Sequence, residues 1–413
     1  MKKINVLIVG SGHYSTGATV LSGKKTTDKD YGILLPSVLE LRSKGMVGHI
    51  ALVARDGARL KSLTNKIKEM SSQYGWNDEI SFFPKDEVID EEAYIKAIEE
   101  MPRPCAVLIA VPDYVHMDVM SCCIKNNVPF MVVKPAVTKL NDLYSLLDEL
   151  DSSPVLAMVD YHKIYDDANI MLKAEYQGGV YGKLQHFSSL MTQRRDMLEI
   201  FGRSFNTENP PNINHYLGSH YIHMVGFMTD AEPIDVRAIS QTGVANKMLS
   251  TDGVADLIET QVRWRDKNAD IFTSYHVSGW SDPSETESMT YQEIHMLCEN
   301  GHVDSDQRYR GFRKVISGEG CSAPNPYFFN LNKGPAGNSI DTKYGFLSVK
   351  TFLDTCLDVY AGKVSLNELD SRLPTLRESE SVTAIMEAAD LSLLNDSCVI
   401  RIERKDNKYC CFS

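Results

Sequence analysis

Ile4-Asn5-Val6-Leu7-Ile8-Val9 is an almost unbroken apolar run that stops at Gly10-Ser11-Gly12. A run of that kind, without alternation, is the pattern of a strand covered on both faces, as strands of parallel sheets are. The chain keeps to this plan through residue 160. His49–Val53, Val107–Val111, Phe130–Val133 and Val155–Val159 read as further buried strands. Leu34–Lys44, Ala58–Met70, Tyr114–Asn126 and Leu140–Leu150 read as the helices between them. Strands alternating with helices predict a doubly wound α/β domain over residues 1–160.

Beyond Asp160 the texture changes. Leu184–Leu190 reads as a strand, Asp167–Gln177 and His220–Met228 as helices. Ile258–Trp264 and Ile271–Gly279 flank the turn Asp266-Lys267-Asn268-Ala269-Asp270, and Glu293–Cys298 and His302–Ser305 flank Glu299-Asn300-Gly301. Both are hairpin signals. Phe346–Tyr360 and Glu378–Leu394 read as helices, Val399–Ile402 as the last strand, and 322–343 as a long surface loop. Residues 161–413 are thus expected to form an α+β domain with a large, mainly antiparallel open sheet. The recognisable helices cover one face of it, which predicts a homo-oligomer built on the other.

Composition narrows the classes of function. With 43 basic and 55 acidic residues the net charge is −12, and no long Lys/Arg run offsets it, so nucleic acid is not an expected partner. No stretch approaches ~18 consecutive apolar residues, so no membrane span is expected. Val6–Val9 is too short for a signal-peptide core, and the expected location is the cytoplasm. The nine cysteines include no CxxC pair, which fits reduced thiols better than a disulfide framework or a zinc site. Cys410-Cys411-Phe412-Ser413 formally fits a prenylation box, a four-residue match that arises easily.

Glycines directly after a first strand allow backbone N–H groups to approach a pyrophosphate, so Gly10, Ser11 and Gly12, with His13, Tyr14 and Ser15, are candidate cofactor residues of a dinucleotide-binding (Rossmann) domain. Ser15 stands where a third glycine is usual. A methyltransferase can use the same turn. The stretch from Ser15 to Tyr31 reads as an inserted loop before the helix proper, and its Lys24 and Lys25 are more simply solvated than phosphate-binding. At the end of the second strand, Ala54 and Arg55 occupy the place where NAD enzymes carry an acidic residue for the ribose. A small residue followed by a guanidinium suits a 2′-phosphate and favours NADP over NAD, with Asp56 as the ribose partner if the register slips.

Further motifs follow in order: Ala110-Val111-Pro112-Asp113-Tyr114-Val115-His116, Val132-Val133-Lys134-Pro135, Asp160-Tyr161-His162-Lys163 with Tyr165-Asp166, Gly178-Gly179-Val180-Tyr181-Gly182-Lys183, and Leu217-Gly218-Ser219-His220-Tyr221-Ile222. Their order and spacing resemble the glucose–fructose oxidoreductase/inositol dehydrogenase (Gfo/Idh/MocA) family. The resemblance implies an NAD(P)-dependent enzyme acting on a CH–OH group of a sugar, cyclitol or sugar derivative, assembled as a dimer or tetramer. It implies cofactor contacts at Val111, Pro112, His116, Lys134 and Pro135, a fixed, often cis, Lys134-Pro135 turn, and Lys163 near the substrate. Two departures stand out: Val133 replaces the family's Glu before Lys-Pro, and Tyr216 replaces its Asp four residues before the catalytic His. They keep open a second reading, a catalytically silent nucleotide-binding regulator or sensor.

Within that frame His220 is the candidate base, its ordinary pKa lying near working pH, and Lys134 the cation for developing alkoxide charge. α-Helical spacing places Tyr216, His220 and His223 on one face, with Tyr216, Asn214 or His215 available where relatives use a carboxylate. His223 reads as packing. Arg194, with Arg195, offers a fork for a substrate carboxylate or phosphate, though such pairs are more often solvated turns. No metal is expected at His215, His220 and His223, since no thiolates accompany them.

Overall fold

The computed structural model describes residues 3–17, 31–201, 212–318, 320–331, 335, 343–370 and 372–413. Lys24 and Lys25 lie outside the described residues.

The first half winds as β1 (Ile4–Val9), α1 (His13–Thr16), α2 (Leu34–Ser43), β2 (Val47–Val53), α3 (Gly57–Ser62), α4 (Thr64–Tyr74), β3 (Ser81–Phe83), α5 (Ala93–Glu100), β4 (Cys105–Ile109), α6 (His116–Lys125), β5 (Phe130–Val133), α7 (Leu140–Ser152) and β6 (Ala157–Asp160). The six strands are parallel in the order β3-β2-β1-β4-β5-β6. This is the expected doubly wound sheet, and its order reverses between β1 and β4, where ligands collect at the carboxyl ends. Leu7, Ile8, Val107 and Leu108 are fully buried on the two faces of the central strands. The helix after the glycine turn starts at once, at His13, and stops after one turn at Gly17, which takes a left-handed φ of +67°. Ser15 and Thr16 of the expected loop are therefore helical, and residues 18–30 lie outside the described residues.

After a 3₁₀ turn at His162–Tyr165 come α8 (Asp167–Gln177), β7 (Leu184–Arg194), α9 (Met197–Phe201), a π-helical segment Asn214–Gly218, α10 (Ser219–Thr229), β8 (Glu232–Thr242), α11 (Val244–Leu249), β9 (Ala255–Arg265), β10 (Ile271–Asp282), β11 (Thr290–Cys298), β12 (Gly301–Asp306), β13 (Lys314–Ile316), β14 (Gly320–Ser322), α12 (Tyr344–Tyr360), α13 (Glu380–Leu394), β15 (Ile400–Lys405) and β16 (Lys408–Phe412). An eight-stranded sheet runs β12-β11-β7-β10-β9-β8-β15-β16, antiparallel except where β10 meets β7. Both expected hairpins are present.

Helices α10 and α13 pack on one face of this sheet, with Trp264 and Trp280 beneath them almost fully buried. Alternate residues of the other face, such as Gln261, Arg263 and Arg265 of β9, are exposed. Helix α12 crosses back to the parallel sheet. Its Phe346, Val349 and Phe352 share a core with Ile4, Val6, Ile8, Leu39 and Met131, and it packs against α2 and the His162–Tyr165 turn. This return clamps the end of β6 between two layers.

Candidate active site

The glycine turn sits where β1 and β4 nearly touch. Gly10 has φ +107°, and a Cβ there would lie 2.1 Å from the Ala110 carbonyl oxygen. Gly12 differs, because a Cβ there would meet nothing within 4 Å. A side chain at Gly12 would thus point into open space. Thr16 Oγ1 donates to the Ser11 carbonyl at 3.0 Å, and Lys66 Nζ to that of Gly17 at 2.8 Å, bracing the single turn of α1. Ser15 is fully buried and packs inward.

At the end of β2, Ala54 is half-buried and the Arg55 side chain is 66% exposed, 3.5 Å from an equally solvated Glu91. Asp56 is taken up locally, one oxygen accepting from the N–H groups of Ala58 and Arg59 as the cap of α3. A residue not singled out in the sequence joins them: Arg59 reaches back to the Ser11 carbonyl at 3.5 Å. Arg59 therefore reaches the glycine turn, while Arg55 faces Glu91 in solvent.

Val111 and His116 act as a bracket. His116 Nε2 lies 3.0 Å from the Val111 carbonyl, and Nδ1 lies 2.9 and 3.1 Å from those of Pro135 and Ala136. Burial lowers the His116 pKa. The ring joins the turn after β4, with its exposed Pro112, to the turn after β5. Lys134-Pro135 is cis, and Lys134 leaves the end of β5 toward the π-helical segment. Its ammonium donates to the Tyr216 carbonyl and stands 4.6 Å from the centre of the Tyr216 ring.

That segment changes the face expected of α-helical spacing. The π winding over 214–218 widens the turn between Tyr216 and His220. The Tyr216 ring stacks on Trp280 at 5.5 Å, its hydroxyl is hydrogen-bonded by the Gln193 side chain, and burial raises its pKa. His220 meets the His162 ring edge to face at 4.8 Å. His223 stacks flat on Tyr161 at 3.8 Å, and burial, with Lys173 adding, pushes its pKa down to about 3. His215 Nε2 pairs with Asp390 at 3.1 Å. The three histidines thus turn to three different partners, and among the described residues no three His, Cys, Asp or Glu side chains gather as a metal site. Asn214 is buried with its amide unpaired, pressed so close to Gly218 that a Cβ on Gly218 would lie 2.2 Å from Asn214 Oδ1.

Two candidate substrate residues are drawn into the scaffold. Lys163, 3% exposed, donates to Gln292, Gln307 and the Tyr221 hydroxyl, joining the 3₁₀ turn to the eight-stranded sheet. Arg194 is held by Asp196, two residues on, rather than presented as a fork with Arg195. In contrast, Asp160 and Tyr14, the first quoted only as part of a motif and the second only as a cofactor contact, meet at the end of β6. The Tyr14 hydroxyl donates to Asp160 at 2.6 Å, and burial, with Asp160 adding, raises its pKa.

A parallel sheet of order 3-2-1-4-5-6, a glycine turn at its switch point and a second, open sheet make up the fold that the chain shares with solved inositol dehydrogenases. The solved structures agree. The chain is similar to myo-inositol 2-dehydrogenase from Lactobacillus plantarum, with a TM-score of 0.69 at 14% identity over 97% of this chain and 100% of that one. It is similar to scyllo-inositol dehydrogenase from Lactobacillus casei with bound NAD(H) and scyllo-inositol, with a TM-score of 0.68 at 12% identity over 97% and 99%. It is also similar to an oxidoreductase from Agrobacterium radiobacter in complex with NAD+, L-tartaric acid and magnesium, with a TM-score of 0.63 at 14% identity over 97% and 98%. No protein-family model and no curated protein matches the sequence. Among the described residues no helix is long and apolar enough to cross a membrane.

Proposed function

We propose that this protein is a nicotinamide-dinucleotide-dependent oxidoreductase that transfers a hydride between the cofactor and a hydroxyl-bearing carbon of a sugar, cyclitol or sugar derivative. The observation that carries the reading is the convergence of the glycine turn, Lys134 and the His220 helix at the carboxyl ends of one parallel sheet. The fold neighbours that hold scyllo-inositol or tartrate beside NAD support a polyhydroxylated substrate.

Gly10, Ser11 and Gly12 would hold the pyrophosphate, and Val111, Pro112 and Pro135 would line the path to the nicotinamide. Arg55 and Arg59 would hold a 2′-phosphate beside the small Ala54, which makes NADP(H) the preferred cofactor although the neighbours carry NAD. When bound, the nicotinamide supplies the hydride acceptor or donor. His220 takes the hydroxyl proton. Lys134, fixed against Tyr216, places a positive charge where the alkoxide develops. Lys163 steadies the wall formed by Gln292 and Gln307. The division falls at 160/161, and the open face of the eight-stranded sheet forms the contact of a homodimer or homotetramer.

The test is titration with NADPH and NADH, then a screen of inositols, aldoses and sugar acids for change at the nicotinamide absorbance band. His220→Ala should lower kcat by about 10²–10⁴-fold with cofactor affinity unchanged. Failure to bind either cofactor would overturn the proposal. Tight binding without turnover of any polyol would favour a nucleotide-binding regulator.

A further inference from the structure

The place four residues before His220 holds Tyr216, not a carboxylate, yet the His162 ring that meets His220 lies beside a carboxylate, Asp160. Asp160 ends β6 and is 1% exposed. Ser348 of α12 donates to one of its oxygens at 2.5 Å and the Tyr14 hydroxyl to the other at 2.6 Å. His162 Nδ1 lies 3.3 Å from that hydroxyl and 3.7 Å from the same Asp160 oxygen. With the proton on Nδ1, His162 donates to Tyr14, which donates to Asp160. His220 meets the same ring edge to face, 4.8 Å away between centroids. Phe328 at 5.0 Å and Tyr344 at 5.8 Å enclose His162 further.

Burial alone would raise the Asp160 pKa, but the neighbouring His162 and hydrogen bonds from Ser348 and Tyr14 outweigh it and keep the group ionised. A buried anion favours a cation on the nearest basic group, which is His162. The titratable groups facing His162 are Asp160 from β6, Tyr14 from α1, Tyr344 from α12 and His220 from α10. Lys134 meets the turn before His220 at Tyr216. Two imidazoles in contact resist carrying a charge each, so the pair holds one proton readily and a second only at lower pH.

We propose that Asp160 and His162 stand in for the missing helix carboxylate: the shared proton rests on His162, and His220 stays neutral and oriented to accept the substrate's hydroxyl proton. His162 is a positioning residue in this arrangement, acting through His220. In the reaction the substrate O–H bond would break and an N–H bond would form on His220, while the C–H bond of the same carbon would give up the hydride that a bound nicotinamide would accept. The proton on His162 is not consumed.

This refinement rests on the oxidoreductase reading, but its test does not. Histidine side-chain NMR titration of the protein alone, without cofactor or substrate, should resolve two steps more than a pH unit apart, the upper on His162. Asp160→Asn should move the upper step down by about one pH unit, a tenfold loss of proton affinity. His162→Asn, which serves if Asp160→Asn does not fold, should let His220 titrate about a unit higher and shift the acid limb of kcat/KM up with it, leaving KM unchanged. Independent titration of the two rings, or an Asp160→Asn profile equal to wild type, would overturn the proposal while leaving the dehydrogenase reading in place. Coupled titration in a protein that turns over no polyol would do the reverse.

Discussion

Replacing Gly10 with alanine puts a Cβ 2.1 Å from the Ala110 carbonyl oxygen at a φ of +107°. The backbone conformation alone costs about 1–3 kcal/mol for a residue with a side chain. Relieving the clash requires β1 and β4 to separate, comparable to overpacking a core, at about 1–3 kcal/mol more. The sum, about 2–6 kcal/mol, is a large part of an ordinary domain's stability. Gly12 is two residues away and its case is opposite. Its φ of −75° and ψ of −173° suit any residue, and a Cβ there meets nothing within 4 Å. Gly12→Ala should change stability by less than about 0.5 kcal/mol. It should also weaken NADPH and NADH alike by tenfold or more, about 1.4 kcal/mol, because the methyl group occupies the pyrophosphate's approach. Urea unfolding followed by circular dichroism, with fluorescence titration of each cofactor, separates the two effects. Wild-type cofactor affinity in a folded Gly12→Ala would refute the placement of the pyrophosphate, and wild-type stability in Gly10→Ala would refute the steric argument.

Arg55→Ala and Arg59→Ala should each weaken NADPH by about 1–3 kcal/mol, the loss of a charge-assisted pair, with NADH nearly unchanged for Arg55→Ala. Equal losses for both cofactors in that variant would remove the case for a 2′-phosphate site. His223 gives a pH prediction. Its folded pKa of about 3 lies below the ordinary ~6.5, so its neutral form contributes fully above pH 6.5, and the contribution drains away as pH falls toward 3. A difference of that size is on the order of 4 kcal/mol at the acid end. His223→Phe keeps the stack on Tyr161 and should flatten the loss of stability between pH 6.5 and 4 in denaturant melts, where parallel curves would contradict the assignment.

The parallel half was legible because its strands carry their environment in their composition. β1, β4 and β5 are buried on both faces, and the apolar runs say so directly. β8 was missed for the converse reason. Its buried positions include Pro233 and Asp235, with a register shift between them, so neither the alternation nor the composition of a strand survives. β16 was missed although its turn carries a signal, Asp406-Asn407, both residues at positive φ in a two-residue hairpin. The lack of a glycine hid it.

The site divides along the same physical line. Gly10, Gly12, Lys134 and His220 could be singled out because each lies at the end of a strand or on a helix whose pattern is local. What surrounds them is tertiary. The π winding at 214–218 leaves no period in the sequence, so spacing predicted one face for three side chains that the structure sends to Lys134 and Trp280, to His162 and to Tyr161. Lys163 and Arg194 looked available because a sequence lists charges but not the partners that fold brings to them, here Gln292 and Gln307 for one and Asp196 for the other. Asp160 shows the limit most clearly. It is an acidic residue closing an apolar strand, an unremarkable place for a solvated carboxylate. Its consequence comes from α1 and α12, which are 146 and 188 residues away in sequence at Tyr14 and Ser348 and which bury it from both sides. A carboxylate absent from the helix of His220 need not be absent from its surroundings, because sheet order and the return of α12 decide which charges meet there.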